Sequence, residues 1–218
     1  MPDTDLGAAR ALSEAPAVAP SAIPAAARAE SASPLAGLTA PRRVLPAGVD
    51  EPAIQLSEAP FAALWQVTAW PGRLGAAGSA AAAAAGVAEA PAPGHAVVSG
   101  DATLMRTEPL RWWLLGEAPL APPAIDAEDG TCLDLGHGRW RVRIKGPSAP
   151  ALLARLVAVD LRSDAPASGR VVTTPLHHVP VTLLASAEGA DLFLPRSHAR
   201  ALWELTVETA SQFGLEIV

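Results

Sequence analysis

Alternating apolar and polar positions dominate the C-terminal half of the chain. Between residues 139 and 144, Trp140, Val142 and Ile144 fall on one face and three arginines on the other, which is the period of a half-buried strand. Shorter apolar runs predict further strands at 131–135, 171–174, 179–184, 191–194 and 215–218. The glycine-flanked His137 between the first two strands predicts a hairpin turn.

Two segments of this half show the spacing of amphipathic helices. The first follows Ser148, a good N-cap residue, tolerates Pro150 in its first turn and ends near Asp160. The second starts with Ser197 as N-cap and stops at Gly214. Its predicted buried face comprises Ala199, Leu202, Trp203, Thr206, Ala210 and Phe213. The irregular order β-β-α-β-β-β-α-β predicts an α+β fold, with a mixed or antiparallel sheet and helices on one face.

The N-terminal half carries weaker signals. Residues 1–32 are mostly Ala, Pro, Ser and scattered charge, and they predict a disordered tail because few large side chains offset the ordering entropy. Residues 33–60 predict an extended arm that packs either on its own domain, 33–218, or on another chain. Further strands are predicted at 61–70, 96–99 and 110–115. The six alanines of 80–85 fit a helix end or a low-complexity insertion.

Composition excludes several classes of protein. Half of the 218 residues are apolar and 17% are charged, which predicts a packed core. The net charge of -6 argues against nucleic acid as a partner, since such binders normally show a basic face. The single cysteine, Cys132, permits no disulfide within the chain. Without a membrane-length apolar run or a secretory signal, the sequence favours a cytoplasmic protein with no membrane contact.

The sequence contains one cluster of basic residues. Arg139, Arg141, Arg143 and Lys145 alternate with apolar residues along a predicted strand. This pattern fits a ligand site or a solvated strand face, and the alternation favours the solvated face.

Motifs for nucleotide or metal binding are missing from the sequence. No GxGxxG stands between a strand and a helix, and no GxxxxGK[ST] loop occurs. The five histidines are His95, His137, His177, His178 and His198. None of them pairs at the i, i+4 spacing of a helical zinc site, and adjacent His177 and His178 point to opposite faces if they lie in a strand.

Nucleophilic catalysis has one superficial candidate, the trio Cys132, Asp134 and His137. No cation stands beside the cysteine to lower its pKa, so a catalytic role is not favoured. The acidic residues of 126–129 are interpreted as a solvated loop.

Six tryptophans stand out in a chain with no tyrosine. Most are predicted to lie in the core. Adjacent Trp112 and Trp113 face opposite ways in a strand, so one of them is expected at the surface, where a large aromatic side chain often marks a protein interface.

Two blocks of the sequence resemble a known family. Residues 131–161 read TCLDLGHGRWRVRIKGPSAPALLARLVAVDL and residues 193–214 read FLPRSHARALWELTVETASQFG. Both are similar to the gamma subunits of heterotetrameric sarcosine oxidases, and the looser match of 33–130 includes EPLRWWLLGE. Gly136 departs from the family's serine in the turn, and the Ala-rich stretch at 80–93 and the N-terminal tail look like additions.

The resemblance implies a fold related to the folate-binding domain of aminomethyltransferases. It also implies a complex with alpha, beta and delta subunits that oxidatively demethylates sarcosine to glycine, giving hydrogen peroxide and 5,10-methylenetetrahydrofolate. FAD, FMN, NAD, tetrahydrofolate and zinc are then expected in the partner subunits. In this chain we expect no catalytic, cofactor-binding or metal-binding residue.

Two alternative functions stay open at this point. The small subunit of N-methylglutamate dehydrogenase is similar, and the sequence separates the two complexes poorly. A stand-alone folate-binding protein of the aminomethyltransferase type would need a pocket acid for the pterin, and the sequence shows no convincing one.

Overall fold

The computed structural model of the protein describes residues 32–159 and 169–218. The tail predicted over 1–32 lies outside the described residues except for Ala32. The helix predicted to end near Asp160 ends earlier, at Leu156, because Val157 is extended and forms a β-bridge with Leu176. No helix in the described ranges is both long enough and apolar enough to cross a lipid bilayer.

The described residues form twelve strands and three α-helices. The strands are β1 (Arg42–Val44), β2 (Ile54–Glu58), β3 (Ala63–Ala69), β4 (Ala96–Ser99), β5 (Ala102–Glu108), β6 (Arg111–Gly116), β7 (Gly130–Asp134), β8 (Arg139–Lys145), β9 (Val171–Leu176), β10 (Val179–Ser186), β11 (Gly189–Pro195) and β12 (Leu215–Ile217). The helices are α1 (Leu74–Ala85), α2 (Ala149–Leu156) and α3 (Ala199–Ser211), the last preceded by a 3-10 turn at Arg196–His198.

The strands make two separate sheets. The larger sheet has the order β1-β12-β2-β8-β11-β10-β9, and its one parallel pair among the described strands is β12 with β2. The smaller sheet has the order β4-β5-β6-β3-β7 and is antiparallel throughout.

The side chains on each face place the two sheets in a layered stack. Apolar residues of β2, β8, β10, β11 and β12 pack with α2 and α3 in the largest core cluster. The opposite face of the larger sheet meets the smaller sheet through a second cluster that contains Trp113 and Phe193, whose ring centroids lie 5.9 Å apart. The outer face of the smaller sheet is covered by α1. Each sheet therefore carries helices on one face only, and the predicted α+β class is confirmed.

This arrangement confirms one local prediction and decides between alternatives that the sequence left open. The predicted inward face of the last helix is buried at Ala199, Leu202, Trp203, Thr206 and Ala210. The extended arm packs on its own domain, because it supplies β1 and β2 to the larger sheet. The alanine run belongs to α1, where the small side chains allow the helix to lie close to β3, β5 and β6. The sequence did not predict β5.

The predicted hairpin at His137 is wrong. β7 pairs with β3 in the smaller sheet, whereas β8 pairs with β11 and β2 in the larger one. The Asp134 carboxylate accepts a hydrogen bond from the Gly136 N–H at 2.7 Å, so the turn begins as an Asx turn. This turn carries the chain from one sheet to the other.

The expectation that Trp112 or Trp113 lies at the surface is wrong. Trp112 and Trp113 do face opposite ways, but they are only 1% and 4% exposed because helix α1 covers one face and the larger sheet the other. The exposed tryptophan is Trp70, at 42%. Its indole Nε1–H donates to the Ala127 carbonyl at 2.8 Å.

Candidate functional site

The arginine row of β8 lies between the two sheets. Arg141, at 3% exposed, is the most buried member of the row. The prediction of a solvated strand face is therefore wrong for Arg141, because the alternation of β8 turns that face toward the second sheet. Arg143 is half-buried and Lys145 remains partly exposed.

Every donor of the Arg141 guanidinium has an acceptor. Nε donates to the Ala59 carbonyl at 2.8 Å, and Nη2 to the Pro60 carbonyl at 2.9 Å. Both terminal nitrogens bind the Glu117 carboxylate, at 2.6 and 2.8 Å, and Nη1 also lies 3.4 Å from Asp191 Oδ2. A fork with all five donors used is the arrangement expected of a structural ion pair.

Arg141 stabilises the ionised form of the Glu117 carboxylate. The hydrogen bond from Arg141 lowers the pKa of Glu117 below its ordinary value, although partial burial opposes the shift. Asp191 binds Arg143 through two hydrogen bonds, at 2.7 and 2.9 Å, and these raise the pKa of Arg143. A general acid or base would need a pKa near the working pH. The pKa values of Glu117 and Arg143 are shifted away from that range, so neither group is suited to proton transfer.

The trio Cys132, Asp134 and His137 does not form a catalytic arrangement. Among the described residues no hydrogen bond links the Cys132 thiol to His137. Burial, with a smaller contribution from the charge of Asp134, raises the pKa of the Cys132 thiol to about 11. Because the thiolate is the reactive form of cysteine, these surroundings suppress nucleophilic chemistry.

We expect the Cys132 thiol to alkylate slowly. At pH 7.5 iodoacetamide should react with the folded chain at least about tenfold more slowly than with free cysteine, because little thiolate is present. The rate should still be rising at pH 10, as a pKa of about 11 requires. Mass spectrometry of quenched samples measures both rates, with the urea-unfolded chain as control. A plateau below pH 8 would contradict the assigned pKa.

The histidine pair does not lie in a strand. His177 and His178 form the two-residue turn between β9 and β10, and both have positive φ, +46° and +71°. The ring centroids are 5.4 Å apart. Within residues 32–159 and 169–218, no group of three or more His, Cys, Asp or Glu side chains could hold a metal ion.

A cleft opens beside the start of α2. Its volume is about 480 Å³, and it is lined by residues 145–147, Pro150, Leu153 and residues 185–189. The charged side chains in this lining are Lys145 and Glu188, which pair with each other at 2.7 Å. The hydrogen bond from Lys145 lowers the pKa of Glu188. The cleft is therefore mostly apolar, with its two charges already paired.

Curated relatives of this chain share one description. No family model matches the chain. It is 32% identical over 152 residues to the sarcosine oxidase subunit gamma of Corynebacterium sp. strain U-96, an alignment that spans 67% of this chain and 74% of the relative. This chain belongs to the sarcosine oxidase gamma-subunit family. A second member, from Arthrobacter sp., is 30% identical over 151 residues, which span 66% of this chain and 73% of the relative.

Two solved structures have a fold similar to that of this chain. A chain of the heterotetrameric sarcosine oxidase from Corynebacterium sp. U-96 superposes with a TM-score of 0.69 at 24% identity, covering 84% of this chain and 96% of that one. The aminomethyltransferase T of the Bartonella henselae glycine cleavage system superposes with a TM-score of 0.53 at 17% identity, covering 74% of this chain and 47% of that one. The expected relation to the aminomethyltransferase fold is confirmed.

Proposed function

We propose that this chain is the non-catalytic gamma subunit of a heterotetrameric sarcosine oxidase that demethylates sarcosine to glycine. The observation that carries the proposal is the 32% identity with a sarcosine oxidase gamma subunit over 152 residues. Its partners are then the alpha, beta and delta subunits. FAD, FMN, NAD, tetrahydrofolate and zinc belong to those partners.

The described side chains support a structural role for this subunit. The buried charges at Arg141 are fully paired, and the thiol of Cys132 has a raised pKa. The charged residues of the cleft bind each other. These contacts support a subunit in which Arg141, Cys132 and the Lys145–Glu188 pair contribute to the fold.

Co-purification tests this function. An affinity-tagged chain is recovered from its native cells and the eluate is assayed for bound flavin and for sarcosine-dependent hydrogen peroxide. We expect stoichiometric flavoprotein subunits and peroxide formation that requires sarcosine. Recovery of the tagged chain alone would refute the subunit assignment.

The same eluate separates the alternatives. Turnover of N-methylglutamate without turnover of sarcosine would identify the related dehydrogenase complex. A stand-alone folate-binding protein would purify alone and show saturable quenching of its tryptophan fluorescence by tetrahydrofolate at micromolar concentration. The gamma subunit should show neither behaviour.

A further inference from the structure

The two edges of the smaller sheet differ in what covers them. At the β4 edge, the Ala96 N–H donates to the Gly169 carbonyl and the Val171 N–H to the Gly94 carbonyl, each at 2.7 Å. The chain leading into β9 therefore covers that edge. At the other edge, β7 pairs with β3 on one side, and the described residues add no further strand beyond it.

The backbone of β7 presents hydrogen-bonding groups outward. The Leu135 N–H donates to the Leu64 carbonyl at 2.8 Å, and the Trp70 N–H donates to the Asp129 carbonyl at 3.0 Å. Because bonded and non-bonded pairs alternate along an antiparallel ladder, the odd-numbered residues of β7 bond to β3. The N–H and C=O of Cys132 then point away from the sheet, and no hydrogen bond to either occurs within the described residues.

A large apolar side chain accompanies these open groups. Leu133 is 54% exposed on β7, and its cross-strand neighbour Gln66 is in turn opposite Trp113. Leu133 thus extends the face that elsewhere packs between the sheets. Exposed edge strands with apolar side chains are sites where another chain pairs, and proteins that stay monomeric usually block them.

Charge at this edge is negative. The loop that leads into β7 carries exposed Asp126 and Glu128, and exposed Asp134 ends the strand. Asp126 and Glu128 form no ion pair with another described residue. An extended segment that carries basic residues on both sides of an apolar one would complement this pattern.

We propose that β7 docks an extended basic segment of a partner subunit, which pairs with Cys132 as an additional strand. This inference rests on the proposed function and names the surface through which the gamma subunit joins its complex. The added strand satisfies the outward N–H and C=O, covers Leu133 with an apolar residue and places basic residues near Asp126 and Glu128. Backbone pairing of this kind, with side chains for specificity, is a recurring mode of peptide recognition.

A proline at position 132 tests the backbone contact directly. Cys132→Pro removes the outward N–H but leaves the β3–β7 ladder, because the odd-numbered residues make that ladder. With the chain co-expressed with its flavoprotein subunits and tagged, we expect recovery of those subunits to fall at least about tenfold. Cys132→Ala keeps the N–H and should recover them at the wild-type level.

A second pair of variants keeps the test decisive if the proline variant fails to fold. Leu133→Lys places a cation on the docking edge and should reduce recovery by a similar factor. Val98→Lys is its control, because Val98 is 69% exposed on β4 at the covered edge of the same sheet. Thermal unfolding of each free chain shows which variants fold.

The outcomes separate the two proposals. If wild-type chain recovers the flavoproteins and Leu133→Lys recovers them equally well, the docking edge is refuted and the subunit assignment stands. If wild-type chain recovers none, both proposals fail. Loss confined to Cys132→Pro and Leu133→Lys, with Cys132→Ala and Val98→Lys unaffected, supports both.

Discussion

Replacing Arg141 with methionine is expected to lower the free energy of unfolding by about 3–4 kcal/mol. Methionine preserves most of the apolar stem of the side chain, but it lacks the guanidinium carbon that lies 5.9 Å from the Phe61 ring centroid. It removes all five hydrogen bonds. The carbonyls of Ala59 and Pro60 lose their bonds to the guanidinium, and Asp191 keeps only Arg143. Glu117 is partly exposed and can rehydrate, which limits the loss.

Urea unfolding followed by tryptophan fluorescence measures this loss. Arg43→Met is a matched control, because Arg43 pairs with Glu216 at 2.7 Å while its side chain is 64% exposed. An exposed pair of that kind contributes at most about 1 kcal/mol. Equal losses in the two variants would show that burial between the sheets adds nothing to the Arg141 network.

Replacing Gly189 with alanine is expected to cost at least about 3 kcal/mol of unfolding free energy. Gly189 opens β11 with φ of +153°, a conformation that side chains disfavour. A Cβ there would lie 2.0 Å from the carbonyl oxygen of Ile144 on β8. Because β11 is bonded on both sides, to β8 and β10, the backbone has little room to move away.

Gly75→Ala is the control for this variant. Gly75 lies in the first turn of α1, and a Cβ there would meet no atom within 4 Å. Alanine in a helix is favoured over glycine by up to about 1 kcal/mol, so this variant should unfold at the same or a slightly higher urea concentration. A Gly189→Ala chain as stable as wild type would contradict this prediction. It would show that the backbone of β8 and β11 can shift enough to accommodate the added methyl group.

The Arg141 network stabilises the contact between the two sheets. It joins β8 and β11 of the larger sheet to the segment before β3 and to Glu117 just after β6. The hydrogen bonds of Arg141 and the apolar cluster around Phe193 therefore stabilise the same contact between the sheets. A defect at Arg141 is expected to loosen the contact between the sheets.

Sequence periodicity predicted the elements of the second half well. Val142 and Ile144 lie in the core next to the helices, as the alternation in β8 indicates, and the 3.6-residue spacing identified the buried face of α3. These features depend on neighbours within a few residues. The same is true of the turn at Gly214, whose positive φ of +78° ends the helix region.

Sequence periodicity did not predict which strands pair with each other in a sheet. The pattern around His137 shows two strands joined by a turn, and a hairpin is the common result, yet the two strands belong to different sheets. Trp112 and Trp113 were misjudged for the same reason, because a strand covered on both faces has no exposed side. The ion pair between Glu117 and Arg141 forms only because the two sheets pack together. The sequence around each residue contains no pattern that predicts this pair.

The sequence by itself determined the strands and the two helices of the second half, the apolar face of the last helix, and, through the blocks at 131–161 and 193–214, the family to which the chain belongs. Only the tertiary structure decided that Arg141 is buried between the sheets, that the pKa of the Cys132 thiol is raised, and that β7 is an open edge. The physical reason is that periodicity records local geometry, whereas burial and pairing depend on contacts between residues far apart in the chain.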